Sequence, residues 1–299
     1  MMQLRKFLRS VFLCGLLFAA GDASVAFGQE PVRIGIKGGF NTTAPVPTLS
    51  HTVLQGNGFG SANTGEKEYF GFFGPSSMGG QLGLLALIPF GQGFYLNVEA
   101  LYNNYHFRYD TEYRWEDAVS NDPLNLHQRH LQQISYIELP VMVRYDILPN
   151  AFSPFVQAGG FIGARIQANK QIASRFLPES QLPANPETGF STTQDGNLNE
   201  VVLGWNAGLM GGAGFRYRVP RVEFGLGVNY RMGLVQIADP SQRFSANNVW
   251  ATNALDVLDD LFLHQLETSL YLIFPIGGSP ANTGFGSTYC SFTSTKRRK

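Results

Sequence analysis

The chain has 299 residues, with 22 basic and 22 acidic side chains for a net charge of zero, 34 glycines and an aromatic content of 13%. This balance excludes the basic footprint of a nucleic-acid-binding protein and the high-charge, low-hydrophobicity signature of a disordered one. Only 15% of the residues are charged and six are lysine, so something other than mixed charge must cover the exterior.

The N-terminus carries Arg5, Lys6 and Arg9, then the apolar run Val11 to Ala20, then small Ala26 and Gly28 ahead of Gln29. That order predicts a secretory leader over residues 1–28. The run is shorter than the roughly 20 residues a transmembrane helix needs, and no later stretch is long and continuous enough. Cys14 lies inside the leader after Leu13 and reads as filler, not as a lipid-attachment cysteine. Cleavage leaves Cys290 alone, which excludes an internal disulfide.

From Val32 onward, period-two alternation recurs in about eight segments, near 32–41, 77–89, 94–108, 133–147, 154–167, 201–219, 221–237 and 262–275. The links at 91–93, 149–153 and 219–220 are short. Those after the first, third, fifth and seventh segments are long. Such sorting of short and long connections belongs to an up-and-down meander crossing a layer, with turns at one rim and loops at the other.

The two faces of these segments differ. One carries Val32, Ile34, Ile36, Phe40, Leu82, Leu84, Phe94, Val98, Tyr102, Ile137, Leu139, Val141, Val143, Trp205, Leu209, Phe215, Leu270 and Phe274, with no charge. The other carries Arg33, Lys37, Glu99, Glu138, Arg144, Arg165, Arg216, Glu223, Arg231 and Glu267. An arginine at the lipid midplane costs about 2 to 4 kcal/mol, so this segregation predicts lipid outside and charge inside. Aromatics near segment ends on the apolar face, among them Phe40, Tyr145, Tyr217 and Tyr230, match interfacial girdles. The expected fold is all-β: an eight-stranded antiparallel up-and-down transmembrane β-barrel over residues 29–275, with short periplasmic turns, long extracellular loops and a flexible tail at 276–299. The reverse assignment is a soluble lipocalin-like ligand-binding barrel. Against it, the polar face is built of Gly, Asn, Gln and Arg instead of a Lys- and Glu-rich coat.

Three stretches carry a family resemblance: "IGIKGGFN" (Ile34 to Asn41), "YIELPVMVRYDI" (Tyr136 to Ile147) and "PFVQAGGFIGARI" (Pro154 to Ile166). They resemble the PorT-like outer-membrane β-barrel proteins over roughly Val32 to Pro275. The resemblance implies a small eight-stranded barrel of a didermic bacterium, with links to secretion or envelope assembly and no catalytic residue to carry over. Barrels of this kind often end on an aromatic, whereas here about two dozen residues follow Phe274.

A lumen of eight strands is just wide enough to be filled by its own side chains. The inward charges Lys37, Glu99, Glu138, Arg144, Arg165, Arg216, Glu223, Arg231 and Glu267 are therefore expected to pair as a structural network, Glu223 with Arg216 or Arg218, Glu138 near Arg165, and Lys37 with Glu267. No catalytic, cofactor or metal site is predicted. His127 and His130 form an H-x-x-H which, with His106, Asp110 and Glu112, would serve a rim-sited lipid-modifying or proteolytic enzyme, but the spacing is weak without a third ligand at a set interval. The loops 42–76, 110–131, 168–200 and 238–261 read either as a binding surface or as coil shielding the barrel mouth. In the last of them, Asn253 to Phe262 predicts a short helix with Leu255, Leu258 and Phe262 on one face and Asp256, Asp259 and Asp260 in water. The expected partners are outer-membrane lipid, lipopolysaccharide and another envelope protein through the loops, with a structural or interaction role and no nucleic acid.

Overall fold

The computed structural model describes residues 31–53, 63–115 and 122–276. The predicted leader, Cys290 and all of the predicted tail except Ile276 lie outside these residues. Among the described residues there are ten strands: β1 (Arg33–Leu49), β2 (Asn63–Tyr69), β3 (Met78–Gly91), β4 (Phe94–Trp115), β5 (Leu124–Asp146), β6 (Phe152–Pro178), β7 (Thr192–Asn197), β8 (Trp205–Val219), β9 (Val222–Gly233) and β10 (Asp260–Pro275). Eight of them close an antiparallel ring in the order β1, β3, β4, β5, β6, β8, β9, β10, and β10 returns to β1 with Ile36 opposite Leu272. This is the expected barrel.

The outward positions are those the alternation assigned. Ile36, Phe40, Leu84, Val141, Leu226 and Leu270 are all exposed along the belt, while Lys37, Glu99, Arg231 and Glu267 point inward and are buried. Aromatic pairs mark the short-turn rim, where Phe94 meets Tyr145 in a tilted contact at 4.6 Å and Phe152 stacks on Phe215 at 5.5 Å. Inward glycines make room for large rings in so narrow a lumen. A Cβ on Gly227 would lie 2.7 Å from the Tyr271 hydroxyl, and one on Gly225 would lie 3.0 Å from its ring. The lumen is also not uniformly polar: Leu85, Leu87, Tyr95, Phe155, Tyr271 and Ile273 form one buried cluster.

Three of the four predicted long loops are in large part strand among the described residues. At about 3.3 Å per residue, ten or so residues cross the hydrocarbon, whereas β4 has 22 residues, β5 has 23 and β6 has 27. Their excess stands above the belt and is flanked by β2, paired to β4, and β7, paired to β6. Above the belt the two faces exchange character. On β4 the outward residues change from Leu96, Val98 and Tyr102 to His106, Arg108 and Glu112, while the inward ones change from Asn97, Glu99 and Asn103 to Tyr105, Phe107 and Tyr109. Water has replaced lipid outside, so an ordinary apolar core forms inside.

That core contains Tyr105, Phe107, Tyr109, Ile134, Ile172, Val202, Trp250, Leu258 and Leu261. Its lid is the β9–β10 connection, where the predicted helix is displaced. The helix is α1 (Val249–Asn253), capped by the Asn248 side chain accepting from Trp250 N–H; Leu255 then takes a positive φ of 54°, and Asp260 already belongs to β10. Asp256 and Asp259, expected in water, are 1% and 0% exposed. Lysines from the barrel wall hold them there.

Candidate functional site

The interior side chains form three polar tiers. At the short-turn rim, the Glu223 carboxylate takes Arg33 at 2.9 Å, Arg218 at 3.3 Å, Arg216 at 3.4 Å and Arg144 at 3.5 Å. Asp146 joins them, 2.9 Å from Arg144 and 2.8 Å from Arg216. Neither Asp146 nor Arg33 stands in the predicted network. Asp146 shares the parity of Arg144 two residues earlier, and that was the signal that would have found it. Arg144 also lies over the Phe155 ring at 3.8 Å.

In the middle tier, Lys37 bridges Glu99 at 2.8 Å and Glu267 at 2.9 Å. Arg231 meets Glu138 at 2.5 Å and lies 3.7 Å from Glu267. Two cations thus serve three carboxylates, and neutral donors complete the set: Tyr105 donates to Glu138 at 2.6 Å, Asn97 to Glu99 at 2.9 Å and Asn229 to Glu267 at 2.5 Å. Pairing of this kind is what a buried charge requires, because an unpaired one costs several kcal/mol; Arg231 Nη2 and Nε and Glu267 Oε2 nonetheless make no hydrogen bond.

Arg165 corrects the expected pairing. Ile166 is the extra residue of a bulge in β6, with Ser135 opposite Gln167 and Tyr136 opposite Arg165. There the barrel interior gives way to the extension. Arg165 is half-buried and donates to the Asn199 side chain and backbone oxygen, both at 2.7 Å, so the cation on Glu138 is Arg231.

The third tier sits beneath the lid. Asp256 takes Lys170, Lys67 at 3.3 Å and the Tyr109 hydroxyl at 2.7 Å. Asp259 takes Lys67 at 2.9 Å, the Tyr69 hydroxyl at 2.7 Å and the His51 N–H at 2.8 Å. Burial by itself would raise the Asp256 carboxyl, but Lys170 and then Lys67 override it and hold the group well below the usual carboxylate range. His130 stacks on Tyr109 at 4.5 Å, and burial pushes its imidazole down to about 3. Sequence reasoning missed this tier because β2 fell within a segment read as loop, and the lid aspartates were assigned to the wet face of a short helix.

The H-x-x-H motif is divided by the strand. Residues three apart on β5 point to opposite sides, so His130 faces the core while His127 faces out, 3.2 Å from Asp110 and 3.1 Å from Arg175. His106 and Glu112 are outward on β4, His106 opposite Gln133 and Glu112 opposite His127. Among the described residues, no three His, Cys, Asp or Glu side chains are grouped to hold a metal.

An apolar outward belt around a charged interior is the arrangement of an outer-membrane barrel. The family model of the outer membrane protein beta-barrel domain matches residues 26–239. The chain belongs to that family. This outer-membrane barrel has no match among curated proteins. Among solved structures it is similar to Neisserial surface protein A, with 11% identity, 80% of this chain and 96% of that one covered, and a TM-score of 0.31. Ail, the attachment invasion locus protein of Yersinia pestis, gives 11% identity, coverage of 82% and 99%, and a TM-score of 0.25. The translocator domain of the autotransporter NalP from Neisseria meningitidis gives 9% identity, coverage of 89% and 96%, and a TM-score of 0.21.

Proposed function

We propose that this barrel is a non-enzymatic and non-conducting envelope protein, a plugged anchor that carries an ordered β-platform above the outer membrane for interaction with other envelope components. The supporting observation is the lumen itself: Lys37, Glu99, Glu138, Arg231 and Glu267 are each at most 1% exposed and bonded to one another. An ion crossing it would have to break these pairs in sequence. The resemblance of "YIELPVMVRYDI" and "PFVQAGGFIGARI" to PorT-like strands supports reading the chain as a PorT-like member of the family, exported through the 1–28 leader. Lipid and lipopolysaccharide surround the belt, and the platform of β2, β4, β5, β6 and β7 meets an envelope protein partner.

Planar-bilayer recording tests this reading. The purified barrel is expected to add no conductance to the lipid background, and stable unitary currents would overturn the plug. Hydrolysis of phospholipid or peptide that disappears when His106, His127 or His130 is replaced by alanine would overturn the non-enzymatic half.

A further inference from the structure

β2 and β3 are two halves of one barrel edge. Both pair with β4: Tyr69 stands opposite Tyr109, and Gln81 stands opposite Asn103. Continuing each register puts Phe70 opposite Arg108, as its N–H to the Arg108 oxygen at 3.2 Å shows, and Met78 opposite His106. Residues 71–77, "GFFGPSS", therefore stand opposite the single residue Phe107 and must leave the sheet.

They leave it on the outside. The Phe72 ring meets Tyr230 of β9 at 6.1 Å, edge to face, although β1 and β10 lie between β3 and β9 in the ring. Tyr230 is an outward girdle residue, so the excursion crosses the outer surface of β1 and β10. The burial of those two strands agrees: Phe40 and Leu270, on the belt, are 68% and 66% exposed, whereas Ala44, with the same outward parity as Phe40 but higher on β1, is 7% exposed. Its cross-strand neighbour His264 and the nearby Thr42 and Leu266 are half-buried.

The excursion is a built turn. Gly74 N–H donates to the Gly71 oxygen at 2.9 Å, which makes Phe72 and Phe73 the two central residues of a β-turn. A Cβ on Gly74 would stand 2.5 Å from the Phe70 Cβ, so the close return requires glycine. The Ser77 hydroxyl, 2.7 Å from the Phe72 oxygen and 2.8 Å from the Gly74 oxygen, and Ser77's carbonyl, accepting from Thr43 N–H at 3.0 Å, tie its far end to β1. Phe72 is thereby fixed against the barrel. Phe73, beside it at the tip, is 87% exposed.

We propose that this turn is a membrane wedge: Phe73 enters the outer leaflet at the boundary between headgroups and acyl chains. The occupant follows from position, because the turn packs on the girdle residue Tyr230 through Phe72, just above Phe40, and continues the apolar surface of the belt, where aromatic side chains find both an apolar body and a polar edge. Phe72 clamps the turn to β9, and Phe73 reaches past the cylinder of the barrel into lipid. The barrel thus gains a lateral foothold on the β9–β10–β1 side, opposite in character to the polar platform.

The test places an environment-sensitive NBD fluorophore on a Phe73→Cys variant in a Cys14→Ser, Cys290→Ser background, reconstituted in phosphatidylcholine vesicles, with heat-modifiable gel mobility confirming the folded barrel. The same label on Gln171→Cys, an exposed outward site on the platform, serves as the aqueous reference. The label at 73 is expected to emit further to the blue than at 171, and to be quenched by lipids bearing a nitroxide near the glycerol but not by aqueous iodide. Emission and iodide quenching equal to those at 171 would overturn the wedge, as would quenching that appears only when a protein partner is added.

Discussion

Arg231 of β9 and Glu138 of β5 start three strands apart around the ring and meet inside it at 2.5 Å, both essentially unexposed. The pair ties two walls of the barrel together across its lumen. Removing one member leaves the other as a buried, uncompensated charge. Arg231→Met or Glu138→Leu alone is expected to destabilise the barrel by about 3 to 5 kcal/mol, and the double replacement by clearly less than the sum of the two. Denaturant unfolding of the barrel in lipid vesicles, followed by gel mobility, reads the difference.

Leu270 lies at the middle of the outward belt, and Gln171 faces out on the platform. Leu270→Arg is expected to cost about 2 to 4 kcal/mol because the guanidinium would face hydrocarbon, while Gln171→Arg costs nothing measurable in water. Equal effects in the same unfolding assay would contradict a lipid boundary between them.

The lid depends on Asp256, which joins Lys67 of β2 and Lys170 of β6 to the β9–β10 connection. Asp256→Asn is expected to leave two buried lysines short of a partner and to open the lid locally. Hydrogen exchange should accelerate over residues 249–259 while protection of the belt segments of β8 and β9 is unchanged. Uniform loss of protection would mean that lid and barrel unfold as one.

His130 makes the platform acid-sensitive. Its folded-state imidazole titrates near 3 because burial disfavours the charged form, against an ordinary 6.5. Between those values the unfolded chain binds a proton that the folded one does not. Stability from this group is therefore complete above pH 6.5 and is lost, at up to about 1.4 kcal/mol per pH unit, as the pH falls toward 3. Asp256, with its folded-state value depressed, adds a loss in the same direction at still lower pH. Guanidinium midpoints read from Trp250 fluorescence, with Trp115 and Trp205 replaced by phenylalanine, should fall on acidification, and His130→Gln should flatten the slope above pH 4 to 5.

Within the lipid layer, the alternation of β1 or β9 determined strand, and the segregation of charge over all eight segments determined orientation and compartment, because a side chain there has two possible surroundings and a charge tolerates only one of them. Val222 and Phe224 outward, Glu223 and Arg231 inward, follow from that penalty summed over the segments, without any knowledge of which strands pair. Partner choice did not follow. Glu138 takes Arg231 and not Arg165 because one bulge residue in β6 and the curvature of the ring decide which long side chains converge. Above the belt the periodicity of β4 continues, but its phase inverts between Tyr102 and Tyr105, and a strand whose faces exchange solvent reads as a strand that has ended. Only the tertiary structure shows that the chain runs on, that water now lies on the outside, and that the aspartates of the lid sink inward because two lysines from distant strands wait there. Local pattern reports what surrounds a residue; closure of the ring brings together residues far apart in sequence, and their meeting is a property of the whole fold.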